Sequence, residues 1–521
     1  MEQLNIPTKA LISAFKQAKE SDSKKKGNGN GYRISRAVSA VAFWYEKLRT
    51  AMEYREEYLL RRSAIQRILA RKLIGSHATQ ELFESLLKEL IWARYLTTEN
   101  IDDATRAKAL HVLSLYIPVI TKTEDATHKN WLISILASEL ERILAESFWL
   151  RQEALANYAY FFFSRQLEVV EDENLPTINV ELYIATWRAY FHSDDETLTF
   201  ILLKQKYANY EDRVTNLENT GEDLRSEIER DLSNQVSEKL QRFVEKNLPP
   251  FLVLRDLFEE NQDEIEKVLS DSHGLEESVN NICEKKYMMI HQRVRTAIIR
   301  SIIYVFLTKM VFVLILEIPV DRWFYGGISY IPLFINSILP PSLMFVLSKS
   351  VQIPDKSNTE KILTLLKKIA IDPPESLPRI LVSTGHSSRR PLLTVVFSIL
   401  YGLAFLVSFG LIYYLLSLLG FNIVSKAVFI FFISVVTFFS YRIRRVAHQY
   451  LFEEREGIFS PVTDFFMVPI LRVGRILSNG LARVNLILFI IDIAIEMPFK
   501  VIFDLTDEWS SYIRSKKEEI V

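Results

Sequence analysis

The sequence predicts an all-α, polytopic helical membrane protein. It should have a large N-terminal cytosolic helical domain, two transmembrane hairpins and a C-terminal amphipathic helical tail. Three observations carry this expectation. Residues 323–348 and 391–425 contain no charged side chain, and each run exceeds the roughly 20 apolar residues that cross a bilayer core about 30 Å thick. Glycine is scarce, 15 residues in 521 against about 36 at average usage, which disfavours tight turns and favours long helices. From residue 33 to 295 apolar side chains recur at helical spacing of three and four.

In chain order, residues 1–32 read as a flexible N-terminal segment. Residues 1–19 can form a short amphipathic helix with Leu11, Ile12 and Phe15 on one side, and residues 21–31 (SDSKKKGNGNG) form a polar, glycine-rich linker. Residues 33–296 form the cytosolic α-helical domain, with helices expected over 40–73, 102–120, 131–170, 178–210, 224–247 and 251–269. Leu224, Ile228, Leu232, Val236 and Leu240 advance by fours among charged residues, the pattern of a helix packing one face. Pro249 and Pro250 end it. The aromatic run Tyr158–Phe163 is flanked by Arg151, Glu153 and Arg165, so it is expected in a helical core rather than in a membrane. Residues 274–318 read as one helix of roughly 65 Å, charged first and apolar later, which would couple the soluble part rigidly to the bilayer.

Spans are expected at 298–318, 328–347, 392–416 and 423–441. They build a first hairpin (297–349), a basic cytosolic loop (350–390), a second hairpin (391–441) and an interfacial tail (442–521). Lys285, Lys286, Arg293, Arg295 and Arg300 precede the first span, and eight Lys and Arg residues lie between the second and third. Arg442, Arg444 and Arg445 follow the fourth, whereas the other two connections carry one basic residue each, Arg322 and Lys426. Positive charge collects on cytoplasmic loops, so both termini are expected in the cytoplasm. The opening residues MEQLNIPTKA lack an apolar region, so targeting is expected from the internal segments. With one cysteine, Cys283, no internal disulfide can form, and a bacterial inner membrane is the expected address.

In the tail, Arg472, Arg475 and Arg483 fall on one face with Asn479. They are expected to meet anionic lipid headgroups from a helix lying in the interface. Residues 484–503 form a second apolar helix, with Asp492, Glu496 and Lys500 recurring by fours; an interfacial or bundle-packed helix is preferred over a fifth span.

Chemistry is sparse. The chain has no phosphate-binding loop, zinc-protease pair or nucleophile elbow, and its eight histidines are dispersed. No cofactor or metal site is expected. The acidic pairs Asp102–Asp103 and Asp194–Asp195 each precede an apolar helical run, which reads as N-capping. The intramembrane candidates are Lys309, Glu317, Asn336, Asp492 and Glu496. An unpaired lysine at mid-depth costs about 2.5–3.5 kcal/mol on insertion scales, so Lys309 demands a partner, and Glu317, Asp492 and Glu496 are the candidates. Asn336 precedes Pro340–Pro341, where a kink is expected.

Lys plus Arg (63) and Asp plus Glu (64) nearly cancel, which gives no case for nucleic-acid binding. The function expected is that of a non-enzymatic membrane scaffold or regulator that presents residues 33–295 to a cytosolic protein partner. The alternative is an ion or solute transporter or channel, possible as a homo-oligomer, in which the intramembrane groups converge on a hydrated cavity. A closed, dry pair would remove the basis for transport. A membrane-lipid enzyme with a site at the cytosolic interface is the third reading.

Overall fold

A computed structural model describes residues 3–25, 56–73, 78–96, 101–169, 175–328, 330–349, 351–382, 391–452 and 460–483. Over these residues the protein is almost entirely helical, and it divides into two compact units. Among the described residues the first comprises those from 3 to 275 and 366 to 382, the second those from 276 to 365 and 391 to 483.

The first unit contains α1 (Ile6–Lys25), α2 (Glu57–Lys72), α3 (Thr79–Trp92), α4 (Asp103–Lys122), α5 (Ala126–Leu144) and α6 (Glu146–Gln166). Then follow β1 (Leu167–Val169), α7 (Leu175–Phe191), α8 (Asp195–Lys206), α9 (Tyr210–Leu232), α10 (Gln235–Asn247), α11 (Pro249–Glu260) and α12 (Ile265–Ser270). Helix α1 continues into residues assigned above to the linker, and it packs on α6 with Leu11, Ile12 and Phe15 buried. Its Thr8 hydroxyl lies 2.8 Å from the Tyr158 hydroxyl. Of the aromatic run, Tyr158, Phe162 and Phe163 are buried, and Phe163 packs against Phe251 with ring centroids 4.9 Å apart.

Several long helices expected from periodicity are broken, because apolar spacing persists across a corner when both arms bury a face. The run 131–170 breaks at Ala145 (φ −120, ψ 44), and 178–210 breaks at His192 (φ 54), after which Asp194 caps α8 by accepting from Thr197 N at 3.0 Å. Asp102 caps α4 in the same way through Thr105 N, at 2.8 Å. The 224–247 run spans two helices, α10 being capped where the Asn234 side chain accepts from Val236 N. Pro249 and Pro250 open α11, where a missing N–H costs no helical bond. Within the stretch expected as a loop, residues 356–370 are helical and Ile380–Val382 form β2, which pairs in parallel with β1 in the register Leu167↔Ile380. A three-residue ladder this remote in sequence leaves no periodic signal.

Helix α5 lies at the centre of the first unit, packed by α2, α4, α6 and α8. It carries two fully buried carboxylates, Glu139 and Glu141. Two residues apart on a helix is about 200°, so they face different neighbours. Arg213 of α9 approaches Glu139 at 3.0 Å, and Arg61 of α2 binds Glu141 at 2.6 Å. The Trp149 indole N–H also donates to Glu141. Burial raises the pKa of both carboxylates, opposed by their arginines.

Glu181 of α7 is also buried, beside Asn234 and Ser237 at the start of α10, and burial lifts its pKa from 4.5 to about 7. Asp231 adds to the rise, while Arg188 opposes it.

The second unit begins within α13 (Ser272–Phe312), a helix of 41 residues. One π-helical turn, Val313–Glu317, joins it to α14 (Ile318–Phe324). The helix expected to end at 318 runs on: Pro319 sits in the first turn of α14, and the helical path continues to Phe324. Then come α15 (Tyr330–Lys349), α16 (Lys356–Ala370), α17 (Pro391–Leu418), α18 (Ile423–Ala447) and α19 (Ser460–Arg483). Pro340 and Pro341 lie inside α15 without interrupting it. Four helical stretches, Ser272–Phe324, Tyr330–Lys349, Val395–Leu418 and Ile423–Tyr450, are long and apolar enough to cross a membrane. Large apolar side chains are exposed along residues 288–324, 330–346 and 395–419, and at Ile423 and Tyr441 of the fourth stretch, whereas the described residues of the first unit expose only Ile6 and Leu381 to that degree.

Two stability predictions follow from the first unit. Arg213→Met leaves Glu139 buried without its cation, and should destabilise the protein by about 3–5 kcal/mol, seen as a lower Tm in detergent. Because the folded pKa of Glu181 is raised, its contribution is most favourable below pH 4.5 and declines as pH rises through about 7. Glu181→Gln should therefore flatten the fall in Tm between these values; an unchanged pH profile would contradict this assignment.

Candidate functional site

Within the second unit, three of the intramembrane candidates meet. Lys309 Nζ forms an ion pair with Glu317 Oε1 at 2.5 Å, and both side chains are fully buried. Asn336 Nδ2 donates to Glu317 Oε2 at 2.7 Å and reaches the Ser425 carbonyl oxygen at 3.3 Å. The ammonium also lies 5.0 Å from the Phe432 ring centroid, a cation–π contact. Helices α13 and α15 and the π turn thus converge on one carboxylate, and α18 meets Asn336 and Lys309 beside it.

The π turn explains how Lys309 and Glu317 come together. Eight α-helical residues turn through about 800°, which leaves the two side chains about 80° apart. A π turn accommodates one extra residue, so the pair behaves as though seven residues apart and its angular offset falls to about 20°. The helix widens where Glu317 must return to the lysine's face.

The polar contacts continue towards α14 and the start of α18. Asn422 Nδ2 donates to Asp321 Oδ1, and Asn422 Oδ1 caps α18 by accepting from Ser425 N at 2.7 Å. Ser425 O then meets Asn336. A hydrogen-bonded path runs from Asp321 through Asn422, Ser425 and Asn336 to Glu317 and Lys309. Beside it, the buried Lys426 donates to Ser417 Oγ at 2.8 Å and lies 4.1 Å from the Tyr413 ring centroid. Asp321, Asn422, Ser425 and Lys426 were not among the sequence candidates. They stand at the ends of apolar helices, where polar residues are ordinary, and only cross-helix contact distinguishes them.

The remaining candidates do not join this cluster within the described residues. Asp492 and Glu496 lie outside them, as does the side chain of Arg483. Arg472 and Arg475 are exposed on α19, and Arg472 Nη1 donates to the Tyr401 hydroxyl at 2.8 Å. The described residues contain no group of three His, Cys, Asp or Glu side chains placed to hold a metal ion.

Chemically, both carboxylate oxygens of Glu317 are engaged, one by a cation and one by an amide. Asn336 Oδ1 is buried without a hydrogen-bond partner among the described residues. The arrangement holds charge in place and joins helices.

No protein-family model, curated protein or solved structure matches this chain.

Lys309→Met removes the cation from a fully buried carboxylate and should lower stability by about 3–5 kcal/mol, measured as Tm in detergent. Adding Glu317→Gln should recover most of that loss, because the charge left behind is removed with its partner. Equal destabilisation in the single and double variants would show that the ion pair does not organise these helices.

Proposed function

We propose that this chain is a non-enzymatic, multi-pass membrane scaffold or regulator. Its helical N-terminal part, residues 33–295, presents a binding surface to a cytosolic protein, and its hairpins anchor that surface. The observation that carries the reading is the closure of the Lys309–Glu317–Asn336 cluster. Lys309 and Glu317 are fully buried and directly paired, which suits a lock between helices better than a site that must exchange ions or protons with water.

The proposed topology has two hairpins, with the N-terminus and the loop 350–390 in the cytoplasm. Besides the distribution of Lys and Arg, it is supported by Trp323, Phe324, Tyr325 and Tyr330, which are all exposed between the first two apolar helices. Aromatic residues so placed suit a membrane–water interface. From Arg300 to Trp323 the helical path is about 34 Å, close to the thickness of a hydrocarbon core. On this scale Lys309 and Glu317 both sit within the apolar layer.

A transporter or channel is the second reading, favoured by the polar path from Asp321 to Lys309 and by the unpartnered Asn336 Oδ1. Two measurements separate the readings. Purification of the full chain from native membranes in mild detergent should retain a stoichiometric cytosolic protein, and the Lys309→Met/Glu317→Gln variant should retain it equally. Liposomes containing the full chain should show only background flux. A solute or ion flux that disappears in the double variant would replace the scaffold reading with transport.

A further inference from the structure

We infer that α19 is a fifth membrane-embedded helix, seated between α17 and α18 through Gly474, and not a helix resting on the bilayer surface. This rests on the reading of α17 and α18 as membrane spans. Although α17 and α18 are consecutive and joined by a turn at Gly420, they touch each other little, while α19 packs extensively on both.

The two backbones come close at Gly474. A Cβ there would lie 2.1 Å from the Ser434 carbonyl oxygen and 2.8 Å from Phe438 Cβ, so only glycine admits the backbone of α18 at this distance. Ser434 lies about 16 Å along α18 from Ile423, near the middle of the uncharged part of that helix. A helix lying in the interface would meet α18 near its charged end, at Arg442, Arg444 and Arg445. The contact falls at mid-depth instead.

A second contact agrees. Arg472 donates to the Tyr401 hydroxyl, and its guanidinium carbon lies 5.2 Å from that ring's centroid. Tyr401 stands about 15 Å into α17 from Pro391. Phe465, Val468 and Ile476 point outward and are exposed, a surface that fits lipid acyl chains. Arg475 shares the exposed side of the helix, and at this depth its charge is a cost that the packing of α19 on α17 and α18 must offset. The amphipathic pattern that resembles a surface helix then has another cause: one face seats on α17 and α18, and Arg472 is held by Tyr401.

The test is depth measurement by nitroxide labels on the full chain in phosphatidylcholine vesicles. Single cysteines are introduced as Ile476→Cys, Leu406→Cys and Ile6→Cys on a Cys283→Ala background. Leu406 is exposed on α17 and serves as the lipid standard, and Ile6 is exposed on α1 and serves as the water standard. Collisions with oxygen report the acyl core, and collisions with a water-soluble nickel chelate report the aqueous phase. The label at position 476 should match that at 406, with oxygen favoured over nickel. If 476 matches 6 while 406 remains oxygen-rich, α19 lies at the surface and the inference is overturned. If 406 itself matches 6, the span reading fails and the inference fails with it. Gly474→Leu combined with Ile476→Cys should move the label towards nickel, because the added side chain meets the backbone of α18; an unchanged ratio would refute Gly474 as the seat.

Discussion

An ionised side chain removed from water must find its counter-charge on a neighbouring element, and both units are organised around that requirement. In the first, α5 buries Glu139 and Glu141 on different faces, and each is answered by an arginine from a different helix, Arg213 on α9 and Arg61 on α2. In the second, Lys309 and Glu317 answer each other and Asn336 completes the carboxylate's bonding. Such pairs add little net stability over a well-packed apolar core. Breaking one is costly, so each arrangement tolerates few alternatives. The charges select which helices are neighbours, and apolar burial supplies the driving force.

The backbone departs from regular helix where these meetings require it. The π turn at Val313–Glu317 brings Glu317 round to Lys309. Gly474 lets α19 approach the backbone of α18. The break at Ala145 turns α6 away from α5 directly after the buried carboxylates, so that Trp149 reaches back to Glu141. In each case a departure of one or a few residues positions a side chain or backbone that the rest of the packing needs.

These features bear on function through what they prevent. A lysine and a glutamate sealed against each other exchange ions poorly, because separating them inside an apolar layer leaves two uncompensated charges. The polar path from Asp321 to Lys309 is stabilised by the same amide and carboxylate contacts that join α15, α18 and the π turn. A cluster held this firmly suits the anchoring role proposed above.

The all-helical character, the positions of the four apolar helices and the N-capping roles of Asp102 and Asp194 were legible in the sequence. They follow from local rules: helical periodicity, the length of an uncharged run and the residue types that satisfy free N–H groups. The need of Lys309 for a partner was legible too, because charge and depth alone require one. Which partner it takes depended on a π turn that no residue pattern announces, and the roles of Asn422 and Ser425 depended on contacts between separate helices. The corners at Ala145 and His192, the ladder between β1 and β2 and the seat of Gly474 belong to the tertiary structure for the same reason. Their causes lie between segments remote in the chain, where sequence spacing carries no information about distance.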